Sequence, residues 1–294
     1  MLCTMTSRRL IQCFSTRRCS VSALALAAAV LSGFLHAAWN AAVKASGDAK
    51  AAMTAQVVAA ALIAGLLLPV VGPPAPASWP WLAASSALSI ATLVTTRRAY
   101  QAGAFSVAYP VSRAMAPALV MVVGPLFGFG WPGPMGVVGL VLIGLGVLAF
   151  MKPPPSGPVS AAIPWALVTG VLTAGFVLVD STGVRLAGST LSYGLSVSML
   201  NGLGFIALER GDTWGAVRRH WRLAVFGPLA SLGSYLLILW VWATAPPALG
   251  AALRDTSLVF AALIGWRLLG ERPTRLTWTA LALATAGVVV LRFA

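Results

Sequence analysis

Acidic residues are scarce in this sequence. Aspartate and glutamate together number six among 294 residues, and all charged residues make up 9% of the chain, against about 25% in soluble globular domains. Apolar residues make up 59%. A soluble fold cannot bury so large an apolar fraction, so the composition excludes an ordinary soluble protein. The shortage of carboxylates also argues against hydrolytic or metal-dependent chemistry.

Cysteine and histidine are rare as well. The cysteines Cys3, Cys13 and Cys19 all fall within the first twenty residues, so the rest of the chain can form neither a disulfide nor a thiolate metal site. The histidines, His36 and His220, form no paired metal-ligand motif, and no phosphate-binding loop or dinucleotide-binding glycine motif is present. We therefore expect no enzyme active site, no metal and no cofactor.

The net charge is +14, because Lys and Arg number 20. These residues lie mainly in short segments between apolar runs, and they form no basic patch interleaved with aromatic residues. This distribution is typical of loops that set membrane topology. It does not indicate nucleic acid as a partner.

Apolar runs alternate along the chain with glycine, proline and charged residues. Each run approaches the ~20 residues that a helix needs to cross a bilayer, so the lipid bilayer is the expected surroundings. We predict ten spans, at residues 21–43, 51–71, 80–99, 104–127, 132–151, 161–182, 190–208, 222–243, 247–269 and 274–292.

The first twenty residues contain four arginines and precede an apolar run, an arrangement that resembles a signal peptide. The run continues to about residue 43, which is longer than the apolar core of a signal peptide. We therefore interpret it as an uncleaved first helix. Residues 1–20 are then a basic leader, and a translation start near Val21 would leave them outside the folded protein.

The two halves of the chain superpose without a gap under one constant offset in residue number. This repeat offset places Lys44 on Arg185, Gly47 on Gly188 and Arg113 on Arg254. Each half contains five predicted spans, an odd number, so the second half enters the membrane from the opposite side. We predict two inverted five-helix repeats, at 21–151 and 161–294, joined by a Pro-rich linker at 152–160. Inverted repeats are a recurring architecture of transporters.

Polar residues within the spans are the candidate functional groups, because a charge near the bilayer centre costs at least about 2.5–3.5 kcal/mol. His36, Trp39 and Asn40 share one face of the first span. His36 can exchange protons or bind a solute, and a hydrogen bond to a neighbouring helix explains it equally well. Tyr235 lies deep in the eighth span and is a candidate to line a cavity.

Two arginines and two acids lie within the spans: Arg113, Arg254, Asp180 and Asp255. Arg113 is either a solute-facing cation or an internal structural partner. One hypothesis is that the arginines pair with the acids across the halves and exchange partners as a cavity changes sides. The alternative is a set of static ion pairs that fix the packing. Asp180 and His36 are also candidates to carry a coupling proton.

Two further expectations concern packing. Trp240 and Trp242, at the end of the eighth span, are expected at the membrane interface, where tryptophan is enriched. The small residues Gly139, Gly144 and Gly146, in the fifth span, are expected to allow close helix approach. Neither expectation assigns a role in binding.

Three segments together resemble a known family. They are Leu35–Lys44 (LHAAWNAAVK), Tyr109–Arg113 (YPVSR), and Leu253–Ser257 (LRDTS) with Leu269–Pro273 (LGERP). Over residues 21–294 the chain is similar to the EamA-like family of the drug/metabolite transporter superfamily. The first half departs from the pattern at Gly130, which stands where Glu271 stands in the second half.

The resemblance implies ten helices around a central cavity, in the cytoplasmic (inner) membrane of a bacterium. It also implies alternating-access transport of a small polar or zwitterionic metabolite, such as an amino acid or a related compound. Carried over to this chain, the cavity residues are His36, Trp39, Asn40, Tyr109, Arg113, Asp180 and Arg254. A membrane-embedded enzyme or lipid-handling protein, with His36 and an acid acting on a lipid, is the competing interpretation. An enzyme of that kind would gather its polar residues near one membrane surface.

Overall fold

The computed structural model describes residues 23–103, 105–129, 133–151, 159–209, 211–245, 247–254, 257–268, 270 and 274–291. Over these residues the chain is helical and contains no strand. The α-helices are α1 (Ala23–Ala45), α2 (Ala49–Val71), α3 (Trp79–Ala102), α4 (Phe105–Val123), α5 (Pro134–Met151), α6 (Val159–Leu186), α7 (Thr190–Glu209), α8 (Thr213–Arg219), α9 (Trp221–Thr244), α10 (Pro247–Arg254), α11 (Ser257–Leu268) and α12 (Arg275–Leu291). The predicted leader and most of the predicted linker lie outside the described residues.

Six segments of this structure are long and apolar enough to cross a membrane. They are Leu24–Ala45, Ala49–Val71, Pro76–Ala102, Ala161–Leu186, Thr190–Leu208 and Trp221–Thr244. Shorter apolar helices cover Val111–Phe127, Pro134–Gly146 and Ser257–Leu268. The expectation of an all-α, multi-pass membrane protein is therefore confirmed.

The predicted spans 190–208 and 222–243 leave a connection between them, and this connection contains the short helix α8. The Asp212 side chain caps this helix by accepting a hydrogen bond from the Gly215 N–H at 2.8 Å. Such a cap satisfies one of the backbone donors that a helix N-terminus leaves unpaired. The seven-residue helix is too short to produce a clear periodic pattern in the sequence.

The long helices pack mainly across the two halves of the chain. Helix α1 packs against α9, α3 and α4 pack against α6, α2 packs against α7, and α5 packs against α12. Buried alanines are frequent in these contacts, because a small side chain lets two helix backbones approach closely. The core is therefore continuous between the two halves.

Two helix boundaries repeat the same local structure. After α1, Gly47 adopts a positive φ of 75°, and after α6, Gly188 adopts 74°. Glycine suits this left-handed conformation at a helix C-terminus because it has no Cβ. In each case the next residue caps the following helix. Asp48 and Ser189 accept hydrogen bonds from the backbone N–H three residues later, at 3.0 and 3.2 Å.

The packing expectations were wrong at two residues, Trp242 and Gly144. Trp242 is fully buried and meets Phe176 edge-on, with ring centroids 6.2 Å apart, so it does not lie at a lipid interface. A Cβ at Gly144 would meet nothing within 4 Å, whereas one at Gly202 would lie 2.1 Å from the Cβ of Ala61. The close approach therefore occurs between α2 and α7, and which glycine faces a neighbouring helix depends on the tertiary packing.

Candidate functional site

A cavity of about 180 Å³ lies among the helices. Its described lining residues come from α1, α2, α3, α4, α6, α7, α9 and α10, and therefore from both halves of the chain. They are His36, Trp39, Asn40, Gln56, Val57, Ala60, Ser89, Thr92, Leu93, Thr96, Tyr100, Tyr109, Ser112, Arg113, Thr169, Thr173, Phe176, Ser198, Asn201, Ser231, Leu232, Tyr235 and Arg254. Seven of the nine predicted site residues belong to this set.

The predicted stripe on α1 faces the cavity and is held in place by hydrogen bonds. Tyr100 on α3 donates its hydroxyl to Oδ1 of Asn40 at 2.8 Å, and Nδ2 of Asn40 donates to the carbonyl oxygen of His36 at 2.8 Å. The His36 and Trp39 rings meet edge-on, with centroids 5.4 Å apart. These contacts orient the polar groups of α1 toward α3 and the cavity.

Arg254 and His36 connect the two halves within the cavity. Nη2 of Arg254 lies 2.9 Å from Nδ1 of His36 and donates to the Ser234 hydroxyl at 3.2 Å. Because a guanidinium group can only donate, Nδ1 of His36 must accept. In this arrangement the imidazole is neutral, with its proton on Nε2.

Arg113 reaches the same cavity from α4. It is 6% exposed, and Arg254 is 5% exposed. Tyr109, one helical turn before Arg113, lies beside His36 with ring centroids 6.0 Å apart. The two arginines that the repeat offset relates therefore face one buried polar space from opposite halves.

Asp180 does not line the cavity and lies behind Tyr235. Its carboxylate is fully buried and accepts two phenol hydroxyls, from Tyr235 at 2.8 Å and from Tyr193 at 3.1 Å. Within the described part of the chain no arginine forms an ion pair with it. The hypothesised pairing of Asp180 with an arginine is thus not present in this conformation, and Asp255 lies outside the described residues.

Hydroxyl groups join helices of different halves next to the cavity. Ser32 on α1 and Ser234 on α9 each donate to the other's carbonyl oxygen, at 2.7 and 2.8 Å. Between α6 and α3, Thr169 of α6 donates to the hydroxyl of Thr95 on α3 at 2.9 Å. In both pairs, a polar group of the neighbouring helix takes the place of water as the hydrogen-bond partner inside an apolar interface.

Several lining residues were not predicted from the sequence. They include Gln56 on α2, Thr92 on α3 and Ser231 on α9. Asn201 on α7 lines the cavity as well. A single amide or hydroxyl in an apolar span does not show whether it faces a helix or a cavity, so these residues carried no specific signal.

Comparison with known proteins gives a fold and no family. The chain matches no protein-family model, and no curated protein matches its sequence. One solved structure, described only as "Crystal structure of protein", is similar over 90% of this chain and 96% of that chain, with a TM-score of 0.59 and 16% identity. At that identity the likeness shows a shared fold alone.

Proposed function

We propose that the protein is a secondary transporter of a small polar or zwitterionic metabolite. The observation that carries this proposal is the buried polar cavity, which receives Arg113 from the first half and Arg254 from the second. Charged side chains within membrane helices are costly and are usually retained at solute or ion pathways. A cavity shared between two halves also suits binding at the centre of a transporter.

The position of the polar residues favours transport over chemistry on a lipid. His36, Arg113 and Thr173 lie near the middle of their helices, and they come from three different helices. A lipid-modifying enzyme needs its acid and base near one membrane surface, where the headgroup is accessible. The arrangement here is better suited to a solute that is held inside the protein.

We further propose ten spans arranged as two inverted five-helix repeats. The support comes from features that the repeat offset relates: Gly47 with Gly188, and Asp48 with Ser189, as described above. The packing is consistent with the same relation, because the α1–α9 and α6–α3 pairs exchange under the offset. On this basis the chain is an EamA-like member of the drug/metabolite transporter superfamily, placed in a bacterial cytoplasmic membrane.

Alternating access follows from such a repeat, since each half can adopt the conformation of the other. In the present conformation the Ser32–Ser234 hydrogen bonds join α1 to α9, and the Thr169–Thr95 hydrogen bond joins α6 to α3. We expect these two repeat-related contacts to open in turn as the cavity changes sides. Protons are the candidate coupling ion.

Counterflow in proteoliposomes tests the proposal. The purified protein is reconstituted, loaded with a pool of polar metabolites, and tested for accumulation of labelled members of the pool. Accumulation that depends on the loaded solute is expected. The same protein with Arg113→Ala and Arg254→Ala provides the inactive control. Absence of solute-dependent accumulation across amino acids, small carboxylic acids, amines and sugars would contradict a transport function.

A further inference from the structure

Three polar atoms in the cavity have no hydrogen-bond partner among the described residues. They are Oε1 of Gln56, Oγ1 of Thr92 and Oδ1 of Asn201, and all three are buried. The Gln56 side chain is 4% exposed. A buried polar atom without a partner costs roughly 1–3 kcal/mol, so such atoms are retained where a ligand or water can satisfy them.

The residues that carry these atoms belong to α2, α3 and α7, which pack against one another. A Cβ at Gly202, next to Asn201, would lie 3.3 Å from the carbonyl oxygen of Val57, next to Gln56. Helix α3, which carries Thr92, packs against α7. Gln56, Thr92 and Asn201 therefore line the same cavity from three helices that pack against one another.

The chemistry of these side chains follows from the hydrogen bond that orients Gln56. Ser231 donates its hydroxyl proton to the carbonyl oxygen of Pro228 at 3.4 Å, so it accepts the bond from Nε2 of Gln56. The amide oxygen of Gln56 is thereby left as an acceptor without a partner among the described residues. With Oδ1 of Asn201 it makes two uncharged acceptors, and the Thr92 hydroxyl can accept or donate.

Building on the transport function proposed above, we propose that Gln56, Thr92 and Asn201 form a subsite for a neutral hydrogen-bond donor group, a primary amide or a hydroxyl, on a carboxylate-bearing solute. The carboxylate lies toward Arg113 and Arg254. A buried ammonium group requires a charged partner, which amide and hydroxyl oxygens do not supply. One water needs about 10–15 Å³ of such space, so a cavity of about 180 Å³ accommodates a solute of on the order of ten heavy atoms.

A series of four-carbon acids that differ in the group at the end opposite the carboxylate tests which end group the subsite prefers. Succinamate carries a neutral amide, 4-hydroxybutyrate a hydroxyl, 4-aminobutyrate an ammonium group and succinate a second carboxylate, whereas butyrate has no polar end group. Affinities come from thermal stabilisation of the purified protein in detergent. We expect succinamate and 4-hydroxybutyrate to bind about tenfold more tightly than butyrate and more tightly than 4-aminobutyrate, because a site built for a donor rejects the analogue that lacks it.

Near-isosteric variants test whether the preference for succinamate over butyrate comes from the subsite. Gln56→Met and Asn201→Leu should each lower the succinamate-to-butyrate affinity ratio toward one. Gln101→Met, at an exposed position near the end of α3, provides the matched control and should retain the wild-type ratio. The unliganded melting temperature of each variant identifies any that fails to fold, and either lining variant alone suffices for the test.

The outcomes separate this inference from the transport proposal. Any of four results overturns the subsite. Butyrate and succinamate bind equally, 4-aminobutyrate binds more tightly than succinamate, or none of the five acids binds. The fourth is a succinamate-to-butyrate affinity ratio that stays unchanged in both lining variants. If counterflow with the metabolite pool still succeeds in any of those cases, transport stands and only the subsite fails. If counterflow fails, the transport function fails with it.

Discussion

Lys44 and Arg185, which occupy equivalent positions under the repeat offset, each cap the C-terminal end of a neighbouring helix. Nζ of Lys44, at the end of α1, donates to the carbonyl oxygens of Tyr100 and Gly103 at the end of α3, at 2.6 and 2.9 Å. Arg185, at the end of α6, donates to the carbonyl oxygens of Trp242 and Ala245 at the end of α9, at 3.0 and 2.7 Å. A cation placed there satisfies carbonyls that the helix leaves unpaired and complements its dipole.

We predict that Lys44→Met and Arg185→Met each destabilise the folded protein by about 1–2 kcal/mol, because terminal carbonyls of α3 or α9 lose a charged donor inside the protein. The measurement is the midpoint of thermal unfolding in detergent. Arg218→Met, at an exposed position, is the control. A variant at Lys44 or Arg185 as stable as this control would show that the capping bonds contribute little.

The arginines of the cavity should be essential for transport. We predict that Arg113→Ala and Arg254→Ala each reduce counterflow at least tenfold, while the protein still inserts and purifies as a single species. The reason is that both cations are buried beside the cavity. A buried cation in a membrane helix is energetically costly, so it is retained where it binds a solute. Arg98→Ala is the control, since Arg98 is exposed and lies over the Trp165 ring, 4.6 Å from its centroid. Wild-type rates in both cavity variants would remove their proposed role.

Asp180 and His36 are the candidates to carry a coupling proton. We predict that Asp180→Asn abolishes uptake driven by an imposed proton gradient but retains solute exchange, because the amide keeps one acceptor for Tyr235 or Tyr193 and cannot release a proton. Exchange and gradient-driven uptake are measured in the same proteoliposomes. His36→Gln is the parallel variant, and loss of gradient-driven uptake there alone would assign the proton to histidine. Wild-type uptake indifferent to the gradient would exclude both.

The close contact between α2 and α7 provides a test of the packing. Since a Cβ at Gly202 would lie 2.1 Å from the Cβ of Ala61, Gly202→Ala forces the two helices apart, and we expect a loss of about 1–3 kcal/mol of stability. Gly144→Ala is the matched control in a helix with open space, and helix propensity predicts a gain of about 0.5–1 kcal/mol. Equal melting temperatures for the two variants would contradict the described α2–α7 contact.

The apolar runs and the scarcity of acids determined the helical, multi-pass character of this chain, because a bilayer leaves a spanning segment of this kind little alternative to a helix. Sequence also indicated His36, Arg113 and Arg254, since buried charge is costly enough to be informative wherever it occurs. These inferences depend on composition and local order along the chain, which need no knowledge of the neighbouring helices.

Only the tertiary structure decided which polar residues face the same space. It placed Gln56 and Asn201 on the cavity wall, set Asp180 behind Tyr235, and buried Trp242 where an interfacial position was expected. The physical reason is that the orientation of a side chain about its helix axis is set by packing against other helices. In an almost wholly apolar chain the hydrophobic pattern differs too little between the faces of a helix to specify that rotation.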